Sequence, residues 1–223
     1  AQTISEITGV QLGEKQKALV YSRLGRRFRE LGGIDPHEYL AYFKENREDE
    51  LSPLISLLTT HHTFFFREFS HFEFVIDNLP KMVANAKKEG RRSIRIWSAA
   101  CSYGHEVYSL AMLMKFHLSK IDPNMDFFIF GTDVCEESVD KAKKGIYKWD
   151  DLKRSPQMYI KGHWLRGSGD IADFVRAKDD LKRHVAFDIN NLQAFSPHMN
   201  GQKFDVVFCR NVFIYFTHEQ IYK

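Results

Sequence analysis

At 223 residues, with 43% hydrophobic and 27% charged side chains, the chain has the make-up of a globular protein with room for one or two domains and a sizeable core. No apolar run approaches the ~20 residues that span a bilayer, and the opening Ala1-Gln-Thr-Ile-Ser does not read as a signal peptide. A net charge of +3 is too small to argue for nucleic acid, and the well-separated Cys101, Cys135 and Cys209 give neither a disulfide framework nor zinc spacing, so a reducing cytoplasm and no metal are expected.

Residues 1–58 read as a helical domain. Lys15 to Leu31 carries an apolar stripe (Leu19, Val20, Leu24, Phe28, Leu31) opposite a basic face that holds Arg23, Arg26, Arg27 and Arg29. Four positions within seven residues cannot share one face, so some of these arginines must point elsewhere. Gly32-Gly33 stops the helix, and Asp35-Pro36 starts the next, with Tyr39, Leu40 and Phe43 on its expected buried side. Residues 51–58 suggest a third short helix. A linker over 59–70 contains His61-His62 and Thr63-Phe64-Phe65-Phe66-Arg67-Glu68, whose three phenylalanines are expected to pack between the helical domain and a sheet.

From residue 70 the pattern alternates: helix 70–89, strand 92–98, helix 105–120, strand 126–132, helix 135–144, then strands at 184–188 and 204–209. Such alternation implies an α/β fold with a mostly parallel, Rossmann-like sheet and ligands at the carboxyl ends of its strands. Residues 145–183 break the rhythm and are too long for a simple connection, which suggests an inserted subdomain.

The turn after the first strand carries the most chemistry. Ser98, Ala99, Ala100, Ser102 and Gly104 are small, so backbone and ligand can approach closely. Only Gly104 is glycine, which departs from the three-glycine dinucleotide pattern, and Glu106 in the first helical turn opposes an anion. A cationic ligand carrying a ribose, such as the sulfonium of S-adenosylmethionine, suits the turn better. Asp133 closes the next strand, where a carboxylate typically accepts hydrogen bonds from ribose hydroxyls. The competing reading is an ordinary structural βα turn.

These residues stand in the order Tyr21-Ser-Arg-Leu-Gly-Arg-Arg-Phe-Arg-Glu-Leu-Gly, Thr63-Phe-Phe-Phe-Arg67-Glu68, Trp97-Ser-Ala-Ala-Cys-Ser-Tyr-Gly-His-Glu-Val-Tyr-Ser, Gly131-Thr-Asp133, Ala142-Lys-Lys-Gly-Ile-Tyr147 and Phe204-Asp-Val-Val-Phe-Cys-Arg-Asn-Val-Phe-Ile-Tyr215-Phe. In that order they resemble the CheR family of chemotaxis receptor glutamate methyltransferases, through nearly the whole chain. The resemblance implies a helical domain over 1–58, a cofactor-contact linker over 59–70 and a class I methyltransferase domain over 71–223 with an antiparallel β-subdomain inserted at about 147–182. It implies S-adenosylmethionine as cofactor, S-adenosylhomocysteine as product and glutamates of receptor cytoplasmic domains as acceptors, with no nucleic acid and no membrane insertion. Its cofactor-contact positions fall on His61, Thr63, Arg67, Glu106, Asp133, Asn191, Leu192, Arg210 and Asn211. Arg67 and Tyr215 are expected nearest the reacting centre, and Arg23, Arg26, Arg27 and Arg29 toward the acidic receptor.

The chain departs from the family pattern at three places: His61 stands for the usual Asn, His105-Glu106-Val107 for Glu-Glu-Pro, and Asp173 for the glycine of members that bind a receptor's tail peptide. It ends soon after the fourth core strand, so a longer natural chain is expected, with strand 204–209 left as a hydrophobic edge. Two alternative readings are a catalytically degenerate CheR-like receptor-binding or scaffold protein, and an RNA methyltransferase on the same sheet. Against the latter, Arg210-Asn-Val-Phe-Ile-Tyr215 replaces the Asn-Pro-Pro-Tyr-type loop of base N-methylation.

Overall fold

The computed structural model describes residues 14–59, 61–194, 196–216 and 218–222, with side chains in the first helix from residue 20 onward. Three helices open it: α1 (Glu14–Glu30), α2 (Pro36–Glu45) and α3 (Arg47–Leu58). They share a small core of Leu24, Tyr39, Phe43, Leu54 and Leu58. Asp35 caps α2 in a reciprocal capping box with Glu38, which satisfies donors that the first turn otherwise leaves free. Helix α3 begins four residues before the expected start, because Glu48, Asp49 and Glu50 favour a helix N-terminus ahead of the apolar run. Leu40 is a correction: it is 54% exposed, since Tyr39 and Phe43, four apart, define the buried stripe and residue 40 turns off it.

The basic face of α1 is divided. Glu50 is 1% exposed and accepts from Arg27 Nη2 at 2.6 Å, Arg27 Nε at 2.9 Å and the Tyr39 hydroxyl at 2.9 Å. Arg23 Nη1 donates to the last carbonyls of α3, those of Leu57, Leu58 and Thr59, at 3.2, 2.9 and 3.0 Å. Arg23 and Arg27 are thus used inside the helical unit, in line with the expectation that some of the four arginines point elsewhere. Arg29 and Arg26, the latter paired with Glu30 at 3.0 Å, are exposed.

The second part alternates α4 (Ser70–Lys88), β1 (Ser93–Ala99), α5 (His105–Ile121), β2 (Asp126–Asp133) and α6 (Glu136–Lys144), and continues through β6 (Val185–Ile189) and β7 (Val206–Cys209). Among the described residues these four strands form one parallel sheet in the order β6-β2-β1-β7. Its register sets Ala99 beside Thr132 and Cys209, and Asp133 beside Ile189, so all four strands end at one rim. Strand β7 is an outer strand there, with Val207 52% exposed. Between α6 and β6 lies the expected second sheet, antiparallel in the order β3-β5-β4, built from β3 (Ile146–Lys148), β4 (Trp164–Arg166) and β5 (Phe174–Ala177).

Aromatic packing locks the linker into this core. Phe65 meets Tyr147 at 5.0 Å and Trp164 at 5.6 Å, while Phe66 lies 5.3 Å from both Phe72 and Tyr159. The expectation that three phenylalanines act alike is corrected at Phe64, which is 46% exposed. Consecutive Phe65 and Phe66 are both buried because the chain turns left-handed at Phe66, with φ of 54°. No helix among the described residues is long and apolar enough to cross a membrane.

Removing one partner of a buried ion pair strands the other charge. Arg27→Ala should therefore cost about 3 kcal/mol by leaving Glu50 uncompensated, read as a lowered denaturation midpoint for the helical unit. An unchanged midpoint would return Arg27 to the free surface.

Candidate active site

An open cleft lies at the common rim of the strands. All nine positions expected to touch a cofactor line it: His61, Thr63 and Arg67 from the linker, Glu106 from α5, Asp133 from β2, Asn191 and Leu192 after β6, and Arg210 and Asn211 after β7. The turn after β1 forms its floor. Cys101 N donates to the Thr132 carbonyl at 2.8 Å, and Ala100 and Ser102 are both left-handed, with φ of 60° and 50°. Gly104, at φ 81°, is required for space as well as angle: a Cβ there would sit 2.8 Å from Ala142 Cβ and 3.0 Å from the Tyr147 hydroxyl.

This turn aims the Ser102 N–H at Asp133 Oδ2, 2.7 Å away, while Oδ1 accepts from Cys135 N at 3.0 Å. Each oxygen keeps a further lone pair for a ligand. Burial pushes the Asp133 carboxyl above its ordinary value, and the backbone donors only partly offset that. Glu106 is also pushed up by burial, against the pull of Ser98 and Arg210. Its Oε1 accepts from Ser98 Oγ at 2.7 Å and its Oε2 from Arg210 Nη1 at 2.9 Å. Arg210 Nη2 donates to the Arg67 carbonyl at 2.5 Å and to Glu68 at 3.0 Å.

The donor set fits a nucleoside. Two carboxylates, those of Asp133 and Glu106, and two guanidiniums, those of Arg67 and Arg210, line the cleft, and Glu106 is paired with Arg210. Ser102 Oγ, Asn190 Nδ2 and Arg210 Nε are buried without a protein partner, and all three residues line the cleft. Such orphaned atoms mark places for ligand or water hydrogen bonds.

His61 lines the cleft. Its Nε2 lies 2.8 Å from Thr59 Oγ1 and its Nδ1 3.0 Å from Ser138 Oγ, and the ring stacks on Tyr103 at 5.0 Å. Both nitrogens are engaged by the protein, so the ring face is what remains for the cleft. Arg67 Nη1 donates to the His62 carbonyl at 2.7 Å. Tyr215 ends a short turn, Phe213–Tyr215, and its side chain lies outside the described residues.

Sequence reasoning missed Asn190 and Glu68, and it read Ser98 and Ser102 only as small residues, not as hydrogen-bonding groups. Asn190 is 2% exposed and donates its backbone N–H to the Asp133 carbonyl at 3.0 Å. Its neighbour Asn191, and the small-residue run around Ser98 and Ser102, were the available signals. Among the described residues no group of three or more His, Cys, Asp or Glu is placed to hold a metal ion.

The family described as "CheR methyltransferase, SAM binding domain" matches residues 61–222, and the "CheR methyltransferase, all-alpha domain" matches residues 1–59. A chemotaxis protein methyltransferase of Borreliella burgdorferi is 36% identical over 93% of this chain and 73% of its own length. One from Escherichia coli is 35% identical over 97% of this chain and 72% of its own. Chemotaxis protein methyltransferase 2 of Pseudomonas aeruginosa is 36% identical over 96% and 74%.

His105, beside Glu106, turns into the core instead of the cleft: it is 7% exposed and packs 4.8 Å from Phe65 and 4.7 Å from Tyr147. Burial lowers its pKa to about 4. The stability it contributes as a neutral ring is complete above its unfolded value near 6.5 and is lost as pH falls through 4, by about 3 kcal/mol at most. Relative to wild type, His105→Phe should gain in melting temperature between pH 6.5 and pH 4. Parallel pH profiles for the two proteins would show that the ring is not buried neutral.

Proposed function

The chain belongs to the CheR methyltransferase family, and we propose that it transfers a methyl group from S-adenosylmethionine to glutamate side-chain carboxylates of chemotaxis receptors. The products are glutamate γ-methyl esters and S-adenosylhomocysteine. The observation that carries this reading is the convergence of Asp133, Glu106 and Arg210 on one cleft, inside the segment that matches a SAM-binding domain. We take 1–58 as the helical domain, 59–70 as the linker and 71–223 as the catalytic domain with its insertion at 147–182.

Bound S-adenosylmethionine supplies an electrophilic sulfonium methyl. The acceptor glutamate, with a pKa near ~4.3, is already ionised at neutral pH, so no side chain of this protein needs to remove a proton. The protein's contribution is then alignment and exclusion of water. Asp133, already fixed by the Ser102 and Cys135 amides, is oriented to accept from ribose hydroxyls without rearranging. Arg67 and Tyr215 are the side chains we assign nearest the reacting centre: Arg67 orients a carboxylate through its fork, and Tyr215 orients the acceptor through its hydroxyl. Arg26 and Arg29 are the exposed cations left on α1 to meet an acidic receptor helix.

Calorimetry with S-adenosylhomocysteine and methylation of a receptor cytoplasmic fragment test this together. Losing a charged hydrogen bond costs about 1.5–3 kcal/mol, so Asp133→Ala should weaken S-adenosylhomocysteine at least tenfold. Arg26→Glu should raise the receptor KM, less so at high salt, and leave product affinity unchanged. A wild-type protein that binds no S-adenosylhomocysteine, or an Asp133→Ala protein that binds it equally well, contradicts the reading.

A further inference from the structure

The five described non-glycine residues with left-handed backbones are Phe66, Glu68, Ala100, Ser102 and Asn211, and they lie on three segments that border the cleft. A side chain bearing Cβ disfavours that conformation, so it persists where surrounding contacts hold it. Phe66 and Glu68, each with φ of 54°, bracket Arg67 on either side. Phe66 is anchored from below, its N–H donating to Ser109 Oγ of α5 at 3.0 Å. Glu68 is anchored from across the cleft, by residues 142 and 143 positions later in the chain.

Its Oε2 accepts from Arg210 Nη2 at 3.0 Å, and its Oε1 lies 3.4 Å from Asn211 Nδ2 and 3.5 Å from Arg67 Nε. The same Arg210 nitrogen donates to the Arg67 carbonyl, and Nη1 reaches on to Glu106. Glu68 thus touches, through one carboxylate, three residues expected to contact the cofactor. It is 40% exposed, where an ion pair adds little to stability. Arg210 keeps Glu106 as a second carboxylate partner, so the contact with Glu68 acts chiefly on geometry.

We propose that Glu68 is a positioning residue for methyl transfer, clamping Arg210 and Asn211 against the left-handed Arg67 segment so that the three face the cleft in one arrangement. This rests on the function proposed above. Misplacement of reacting groups by a fraction of an ångström is enough to lower rates severalfold to a hundredfold, which is the scale of effect at issue.

Glu68→Gly separates the side chain from the backbone, because glycine adopts a φ of 54° without strain. It should lower S-adenosylhomocysteine affinity and single-turnover methylation each by about tenfold, with the melting temperature nearly unchanged. In an Arg210→Lys background, which lacks the fork, the same substitution should cost less than about twofold, as expected when one residue acts through the other. Glu68→Gln, which keeps the length and one acceptor oxygen, should fall between, and it serves the same cycle if the glycine variant does not fold. Normal affinity and rate in both variants, or a full loss that persists beside Arg210→Lys, overturns the proposal and leaves methyl transfer standing. A wild-type protein that binds no S-adenosylhomocysteine overturns both.

Discussion

The guanidinium of Arg210 is the constraint around which the site is arranged. Its side chain is 11% exposed, and a charge so far removed from water must be met by opposite charge and by hydrogen bonds. It is met from two directions: by Glu106 at the start of α5 and by Glu68 in the linker, with the Arg67 carbonyl between them. The faces of Phe72 and Phe208 lie 5.7 and 6.0 Å from it. One cation therefore fixes three segments that are far apart in sequence, and the walls of the cleft follow from that fixation.

The parallel sheet supplies the rest. Because β6, β2, β1 and β7 end in register, the segments at their ends emerge side by side, and each contributes polar groups to a common rim. The carboxylates of Asp133 and Glu106 there oppose a pyrophosphate. Glu106 sits in the first helical turn, where it spoils an anion site, and its pairing with Arg210 offsets only part of the upward push of burial on its carboxyl.

Much of this was legible in the residues. The switch from helical to alternating pattern near residue 70 located the strands, and the small-residue turn before Glu106 together with the acid closing β2 pointed to a nucleoside ligand against the competing reading of a structural turn. What stayed hidden depends on partners distant in the chain. The basic face of α1 looks uniform, yet Arg27 is drawn inward by Glu50 and Arg23 by the end of α3. Phe64 and Phe65 are neighbours of one type, yet Phe65 is buried against Tyr147 and Trp164 while Phe64 is exposed. His61 reads as a cofactor contact, and the sequence does not show that Thr59 and Ser138 lie at its ring nitrogens. Glu68 stands in the Thr63-Phe-Phe-Phe-Arg67-Glu68 segment with no role legible there; its contacts come from residues 142 and 143 positions later.

The central claim is that one cleft, walled by the linker and the ends of four strands, takes the nucleoside cofactor. Amide hydrogen exchange with and without S-adenosylhomocysteine tests it most directly. Exchange should slow together in 61–69, 99–106, 133–135, 190–192 and 210–212, and should be unchanged at the opposite end of the sheet around Ser93, Asn124 and Arg183. Protection confined to that opposite end, or to the helical unit alone, would contradict it.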